Sequence, residues 1–363
     1  MNAVPTPSMT VATASRFLLG AVRTMTLGLL LGSAAVLQSP QALAQPALEK
    51  LKFSLDWRFE GQTSYMWLGL ARKYFAEEGI DLQVDAGTGS ASAIQRIHTG
   101  AYDAGMGDMS SLIEYVGNNP GQYRVQMVYQ LYDEAPLAYY VLKKNAAKGF
   151  ADLAGKTITG APYEVTRKMF PMIARAAKID PGSVKFMTVD PALRSNAVIK
   201  GDAYAAGGFM NVPMEFETRG IKRDELTELR VSDLGVRIYG NGVMVSSKLI
   251  SEKPKLVAGL VRAINRSFRE GLADPAASVK ALKQREPLAI EAVELQRFTM
   301  LIPAMVNDRT RSSGLGAINK LVLENQADEV AVAFAVKNKP NVDVIFNSSF
   351  LPPRSERLPL PTR

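Results

Sequence analysis

The chain has 363 residues, 47% of them hydrophobic and 21% charged, which is typical of a globular protein long enough to form two cores. Its formal net charge is +8, but lysine and arginine are spread along the chain and form no basic block interleaved with aromatic residues, so the sequence does not indicate a nucleic-acid-binding protein. The chain contains no cysteine, which excludes disulfides, thiolate metal sites and a lipidated N-terminal cysteine.

Residues 1–44 have the pattern of a secretory signal peptide. They carry two basic residues, Arg16 and Arg23, and no acidic one, and an apolar run at 25–37 is followed by an Ala-x-Ala pattern ending at Ala44. The pattern predicts export and cleavage after Ala44. The apolar run is too short to span a bilayer, which takes about 20 residues. We therefore expect a protein of the periplasm without a membrane anchor.

Strand and helix patterns alternate from residue 46 onwards, which favours an α/β architecture with mostly parallel sheets. Leu51, Phe53 and Leu55 alternate as in a half-buried strand, and the helical spacing that follows ends at Gly79, a residue type common at helix C-termini. The next predicted elements, in order, are strand 80–84, a Gly-containing turn at 87–92, helix 93–97, strand 101–106, helix 110–116 and strand 123–131.

A second set of predicted elements begins near Leu137. Its helical segment 164–178 contains Pro171, which removes a backbone hydrogen bond and should kink or end the helix. An apolar stripe at 256–268 predicts a long helix after this set. The Pro-rich tail 351–363 is expected to be poorly ordered. The other elements of the set are strand 137–144, strand 183–190, helix 191–200, strand 203–209 and strand 237–247.

The two sets resemble each other. GTGSASAIQRIHTGAYDAG in the first and VDPALRSNAVIKGDAYAAG in the second each run from a polar or Gly-containing turn through a short helix to a strand of small residues. We therefore predict two similar α/β lobes with a cleft between them and hinges near 132–138 and 236–242. The predicted division is 46–136 plus 241–350 for the first lobe and 137–240 for the second.

Four segments in a fixed order carry a resemblance to a known family. They begin LDWRFEGQTSYMW (55–67), GTGSASAIQRIHTG (87–100), DLAGKTITGAPYEVTR (152–167) and VMVSSKLISEKPK (243–255). The chain resembles the periplasmic substrate-binding proteins of ABC importers in the nitrate/sulfonate/taurine group, and within it the branch related to thiamine-pyrimidine-binding proteins. The resemblance implies a type II periplasmic-binding-protein fold, a clamshell with two crossover strands. It also implies closure on a ligand and delivery of that ligand to a membrane permease and its ATPase.

The sequence departs from that family at the first turn. Pyrimidine-binding relatives usually follow Asp-Trp with Pro-Asn and later carry a His-x-Gly, whereas Trp57 is followed by Arg58, Phe59 and Glu60 with no histidine nearby. The aromatic wall is kept while its polar neighbours change. We expect a small planar ligand, either an aromatic carboxylate or a pyrimidine-like heterocycle, with an alkyl sulfonate of the taurine type as the alternative.

The candidate binding residues follow predicted strands, because ligands of open α/β sheets bind beyond the carboxyl ends of the strands. Trp57 can stack on a flat ligand, and the glycine turn at 87–92 opens a helix whose free N–H groups can face an anionic or carbonyl oxygen. Asp108 either contacts the ligand or caps the next helix. Arg194 is the candidate anion anchor of the second lobe. The candidates are Trp57, Arg58, Phe59, Glu60, Thr88, Ser90, Asp108, Tyr163, Arg167, Arg194, Phe209 and Asn211.

No catalytic, metal-binding or cofactor-binding constellation is found in the sequence. His98, the only histidine, lies in a predicted amphipathic helix, where a half-buried structural role is favoured over that of a base or metal ligand. Pyrimidine synthases of the same fold family use a Cys-rich motif and histidine for iron chemistry, so an enzyme is the less favoured alternative. We expect a monomeric binding protein without a cofactor. A ligand sensor for a signalling receptor is the other alternative.

Overall fold

The structure, a computed structural model, describes residues 47–362. The predicted signal peptide, residues 1–44, lies outside the described residues. Within the described range, no helix combines the length and the apolar character needed to cross a bilayer.

Ten strands in residues 47–362 form two separate five-stranded sheets. The first sheet contains every strand before residue 131 and the last strand of the chain, whereas the second contains the five strands between them. The strands are β1 Glu49–Ser54, β2 Ile80–Asp85, β3 Ala104–Asp108, β4 Val125–Gln130, β5 Leu137–Leu142, β6 Thr157–Thr159, β7 Lys185–Met187, β8 Ala205–Phe209, β9 Leu226–Arg230 and β10 Asn241–Ser246.

The two sheets share one plan. The first has the order β2-β1-β3-β10-β4, and the second has the order β7-β6-β8-β5-β9. In each sheet three neighbouring strands are parallel and the fourth, β10 or β5, runs antiparallel to both of its neighbours. The amino end of β10 therefore lies beside the carboxyl end of β3, with Asn241 opposite Asp108. The predicted α/β fold with two lobes is confirmed, although each sheet is mixed rather than parallel.

The chain passes between the sheets twice, at 131–136 and at 231–240. The two crossover segments are hydrogen-bonded to each other, since the backbone N–H groups of Leu131 and Tyr132 donate to Asn241 and the N–H of Ala135 donates to Ile238. The predicted hinges, near 132–138 and 236–242, overlap these segments and extend into β5 and β10. Hinge motion itself stays a prediction.

Helices cover the faces of both sheets. They are α1 Ser64–Ala71, α2 Tyr74–Glu77, α3 Ser90–His98, α4 Met109–Asn118, α5 Val165–Lys168, α6 Phe170–Ala176, α7 Arg194–Lys200, α8 Pro213–Glu217, α9 Ser247–Glu252, α10 Pro254–Ala273, α11 Pro275–Arg285, α12 Glu291–Met305, α13 Asp308–Ser313, α14 Lys320–Ala333 and α15 Arg354–Arg357.

Two predicted helices are interrupted for identifiable reasons. The segment 164–178 divides into α5 and α6 at Met169, because Pro171 can only occupy the first turn of a helix, as predicted. The segment between Met66 and Phe75 breaks at Lys73, whose φ of 62° is left-handed. Sequence spacing alone did not show this second break.

The C-terminal half of the chain joins the layers of both sheets. The buried face of α14 packs against α4 of the first sheet and α6 of the second. Gln326 at the centre of α14 is fully buried; its amide accepts from the N–H of Tyr239 at 2.8 Å and donates to the oxygens of Tyr239 and Ser110, each at 3.0 Å. The second crossover segment is thus held by side-chain hydrogen bonds as well as by backbone ones.

The expectation of a poorly ordered tail at 351–363 is wrong for the described part, 351–362. Arg357 is buried and donates to the carbonyls of Pro352 and Leu315, at 2.8 and 2.6 Å. Arg269 of α10 donates to the carbonyl of Leu358 at 2.7 Å. The proline-rich composition suggested disorder, but hydrogen bonds from these two arginines hold the segment in place.

Candidate ligand-binding cleft

A cavity of about 340 Å³ lies between the two sheets. One wall comes from residues 56–58, 60, 62–63, 89–90 and 241, together with Val293 and Arg297 of α12, and the other from 163–166, 191–192, 194, 208–209, 211–212, 214–215 and 218–219. Most of these segments follow the carboxyl ends of parallel strands, where α/β sheets generally bind ligands. The volume suits a small ring compound.

Eight of the twelve candidate residues line this cavity. They come from both sides of it, and Tyr163 is the most exposed aromatic residue among them, with 51% of its surface accessible. Whether each one contacts a ligand stays a prediction. The eight are Trp57, Arg58, Glu60, Ser90, Tyr163, Arg194, Phe209 and Asn211.

The other four candidates do not line the cavity, and each has a structural explanation. Phe59 packs edge-to-face on Trp67 at 5.0 Å. The hydroxyl of exposed Thr88 donates to the neighbouring Ser92. Asp108 caps α4, accepting from the N–H groups of the next turn at 2.8 and 3.2 Å. Arg167 donates to the carbonyl of Gly160 and to a threonine hydroxyl, and it does not pair with Glu164.

Glycines bring the first-sheet loops together. A Cβ at Gly87 would lie 2.0 Å from the carbonyl oxygen of Leu55, so only glycine fits there. The N–H of Gly87 donates to the carbonyl of Trp57, and the N–H of Gly89 donates to the carbonyl of Asp56. These contacts fix the loop of Trp57 against the turn that starts α3.

A buried polar network lies at the base of this wall. One carboxylate oxygen of Asp56, Oδ2, accepts from Ser90 Oγ at 3.0 Å and from Asn241 Nδ2 at 2.7 Å. Ser90 Oγ in turn accepts from the N–H of Asp108 at 3.0 Å. Ser90 is the first residue of α3, and its hydroxyl contacts Asp56 and Asp108 rather than capping its own helix.

The carboxylates of this network are perturbed by burial. Loss of water raises the pKa of Asp56 to about 6, although hydrogen bonds from Ser90 and Asn241 act in the opposite direction. Burial likewise raises the pKa of Asp108 to about 7, and the neighbouring charge of Asp56 adds to the rise. Asp56 therefore titrates near physiological pH.

The loop after Trp57 is anchored to α12. The N–H of Gly61 donates to Glu294 at 2.6 Å, and a Cβ at Gly61 would overlap the backbone of Glu294. Glu60 accepts from Gln62 Nε2 at 3.0 Å and lies 3.5 Å from Arg297. Arg297 also pairs with Glu294 at 3.2 Å. Glu60 is thus already neutralised by a neighbouring arginine.

The opposite wall is built around Arg194. Its side chain is 8% exposed and lies 2.9 Å from Glu164 and 3.3 Å from Glu215, and it donates to the carbonyls of Gly207 and Pro191. Burial raises the pKa of Glu215 to about 7 in spite of Arg194. The sequence suggested a free cation for an anionic ligand; the structure shows a cation that two carboxylates already neutralise.

Four carboxylates and four guanidinium groups line the cavity walls. Arg194 and Arg297 are paired with lining carboxylates, whereas Arg58 and Arg219 form no ion pair with the described residues. Arg219 donates to the carbonyls of Glu215 and Ala192, both at 2.7 Å. Arg58 extends over the Trp57 ring at 5.6 Å. Among residues 47–362 there is also no cluster of three or more His, Asp or Glu side chains that would hold a metal ion.

Sequence reasoning missed several lining residues. Asp56 lies one position before the candidate turn that begins at Trp57. Its position just after a strand could have identified it as a candidate. Asn241 lies at the start of an antiparallel strand. The candidates were chosen at the carboxyl ends of predicted strands, so Asn241 was not among them. Arg297 comes from a helix far along the chain, where no local pattern pointed to the cleft. Further polar lining residues that were missed include Gln62, Glu215 and Arg219.

The fold is that of the periplasmic binding proteins. The periplasmic aliphatic sulphonate binding protein SsuA from Escherichia coli superposes with a TM-score of 0.66 at 13% identity, over 87% of this chain and 93% of SsuA. Residues 62–278 match the model of the NMT1/THI5-like family. The chain belongs to the NMT1/THI5-like family, which confirms the resemblance inferred from the sequence.

Three characterised relatives are similar over much of their length. The riboflavin-binding protein RibY of Chloroflexus aurantiacus is 25% identical over 329 residues, covering 88% of this chain and 91% of RibY. The formylaminopyrimidine-binding protein of Halalkalibacterium halodurans is 23% identical, over 74% and 82% of the two chains. The 4-amino-5-hydroxymethyl-2-methylpyrimidine phosphate synthase of Legionella pneumophila is 26% identical, over 63% and 72%.

Proposed function

We propose that the chain is an extracytoplasmic solute-binding receptor that delivers a small planar heterocycle to an ABC importer. The observation that carries the proposal is the cavity between two sheets, with an aromatic side chain from each side, Trp57 and Tyr163, on its walls. Two flat rings on opposing walls suit a flat ligand, because stacked aromatic surfaces give both contact area and orientation.

Ligand binding would be coupled to closure of the two lobes. The cavity takes its walls from 46–136 plus 241–350 on one side and from 137–240 on the other, the division that we propose for the lobes. Contacts to both walls exist only when the lobes approach, so a ligand that uses both shifts the population towards the closed form. Two hydrogen-bonded crossover segments are compatible with a hinge.

The pairing of two wall arginines with carboxylates favours a neutral ligand over an anion. An aromatic carboxylate or an alkyl sulfonate needs uncompensated positive charge, whereas Arg194 and Arg297 are each paired with carboxylates. A neutral heterocycle needs directional hydrogen bonds instead, and polar side chains on both walls can supply them. Two relatives are named for flat nitrogen heterocycles, riboflavin and formylaminopyrimidine, which supports the same choice.

Transport partners follow from this proposal. A receptor of this class works in the periplasm, as a monomer, and its closed form docks on a membrane permease that is driven by an ATPase. A signal peptide in residues 1–44 would deliver it there. A sensor role for a signalling receptor would use the same closure and differ only in the partner.

The similarity to a pyrimidine phosphate synthase raises an enzymatic alternative, which we do not favour. That reading needs a nucleophile, a base or a metal in the cavity. The single histidine, His98, is hydrogen-bonded to Tyr115 on α4 and does not line the cavity. The hydroxyl of Ser90 does contact the carboxylate of Asp56 on the cavity wall, but both belong to the buried network with Asn241 and Asp108, so we assign them a binding role.

The experiment is a thermal-shift screen of residues 45–363 with pyrimidines, flavins, aromatic carboxylates and sulfonates. A ligand present at one hundred times its Kd should stabilise the protein by about 2.7 kcal/mol. Fluorescence titration then locates the site, because the chain has only two tryptophans and W67F leaves Trp57 as the sole reporter. Two results together would show that the ligand does not bind against Trp57. The ligand would leave the fluorescence emission of the W67F variant unchanged, and the W57A variant would bind the ligand with unchanged affinity.

A further inference from the structure

Asp56 is a buried carboxyl group with an incomplete set of hydrogen bonds. The residue is 8% exposed, and no cation of residues 47–362 pairs with it. Its Oδ2 atom accepts hydrogen bonds from Ser90 and Asn241, whereas its buried Oδ1 atom accepts none from the described residues. A buried, ionised oxygen without a donor is costly, so the missing partner of Oδ1 needs an explanation.

Asn241 has the complementary gap. Its Nδ2 donates to Asp56 Oδ2 at 2.7 Å, and its own Oδ1, which is also buried, has no donor in the part of the chain that the structure describes. The contact from Nδ2 fixes the orientation of the amide, because the oxygen of a carboxylate accepts and cannot donate. Each partner of this one hydrogen bond is therefore left with an acceptor oxygen that nothing satisfies.

A single proton would satisfy both oxygens. A protonated carboxyl group has an O–H donor that a carboxylate lacks. With the proton on Oδ1, Asp56 can donate to Asn241 Oδ1 while Asn241 Nδ2 donates to Asp56 Oδ2, so that the acid and the amide are joined by two hydrogen bonds. Loss of water favours the same protonation state, since burial raises the pKa of Asp56 to about 6.

We propose that Asp56 binds a proton on Oδ1 in mildly acidic solution and shares it with Asn241 Oδ1. The pair joins two segments that are distant in the sequence. Asp56 directly precedes Trp57 of the cavity wall, and Asn241 is the first residue of β10, directly after the second crossover segment. The proton therefore fastens the Trp57 loop to the chain that passes between the sheets. When the proton leaves at higher pH, the second hydrogen bond is lost and the loop is held less tightly.

The other titratable groups around Asp56 leave one competitor. Burial raises the pKa values of the hydroxyls of Tyr65 and Tyr132 and the charge of Asp56 raises them further, so both tyrosines stay neutral. Arg96 of α3 donates to other oxygens. Asp108 shares the network through Ser90, and burial raises its pKa to about 7. The titration of Asp56 must therefore be separated from that of Asp108.

Infrared difference spectra test the proton directly. D108N removes the competing carboxyl group, so the difference between D108N and D108N/D56N isolates Asp56. At about pH 5 this difference should contain the C=O band of a protonated carboxylic acid, and the band should be lost with a midpoint near pH 6. A buried water molecule that donated to both oxygens would leave Asp56 ionised. Absence of the band at about pH 5 would therefore overturn the inference.

The fluorescence of Trp57 tests the coupling to the loop. W67F leaves Trp57 as the only tryptophan. Its emission in W67F/D108N should change with a midpoint near pH 6, and acrylamide should quench it more strongly above that pH. In W67F/D56N the new NH2 group takes the place of Oδ1 and donates to Asn241 at every pH. Its emission should therefore stay that of the protonated form.

A second variant guards against a folding defect in D56N. N241A removes the amide partner, so the change in Trp57 emission near pH 6 should be lost from W67F/N241A and kept in the matched control W67F/D85N. A full-sized change in W67F/N241A, or the same change in W67F/D56N, would overturn the inference. None of these measurements uses a ligand, so their outcome is independent of whether the proposed receptor function is correct.

Discussion

Asp56 provides a sharp test of how burial shapes this cleft. Burial raises its pKa from 3.8 to about 6, so ionisation of Asp56 is harder in the folded protein than in the unfolded chain. A raised carboxyl pKa means that stability is fully present below the unfolded pKa and is lost as the pH rises through 6. The full loss is about 3 kcal/mol, at 1.36 kcal/mol for each pKa unit.

The variant D56N removes this titration. Compared with the unmodified protein, D56N should gain stability as the pH rises, and the difference in free energy of unfolding should change by about 2 kcal/mol between about pH 4.5 and pH 8. Asp108 titrates in the same range, with a pKa raised to about 7, but it is present in both proteins. Its pKa should fall in D56N, because the neighbouring charge is gone.

Urea denaturation at the two pH values, without ligand, measures this difference. D85N reports the general effect of removing a carboxylate near the same sheet edge. A difference between D56N and the unmodified protein that is constant with pH would refute the reasoning. It would mean that Asp56 is better solvated than its 8% exposure indicates.

Two further substitutions and one deletion test the rest of the structure. R194M leaves two carboxylates without their cation and should lower the free energy of unfolding by about 3 kcal/mol at neutral pH, and by less in acid, as urea denaturation would show. G87A should cost at least about 2 kcal/mol, since its Cβ would lie 2.0 Å from the Leu55 oxygen, whereas G149A, with nothing within 4 Å, should cost under about 1 kcal/mol. Deletion of 351–363 should lower the Tm, and an unchanged Tm would mean that the buried Arg357 contributes nothing.

Much of the fold was readable from the sequence because it depends on local patterns. Alternation placed β1 and β2 nearly to the residue, and Pro171 predicted the division between α5 and α6. The repeated turn–helix–strand pattern predicted two lobes, because each occurrence of the pattern forms part of one sheet and its helices. The tail at 351–363 could not be read in this way, because its described part is held by hydrogen bonds to residues far away in the sequence, Arg269 and Leu315.

The cleft was only partly readable for the same reason. Trp57 and Tyr163 follow strands directly, and they line the cavity. Residues that reach the cleft from antiparallel strands or distant helices, such as Asn241 and Arg297, leave no local signal. The pairing of charges could not be predicted either. The sequence shows that Arg194 is present, but only the three-dimensional arrangement shows that Glu164 and Glu215 lie beside it.

The most direct test of the central claim is a crystal structure of residues 45–363 with the heterocycle that gives the largest thermal shift. We predict that the ring lies between the two sheets and stacks on Trp57. A ring bound outside the cleft would contradict the account.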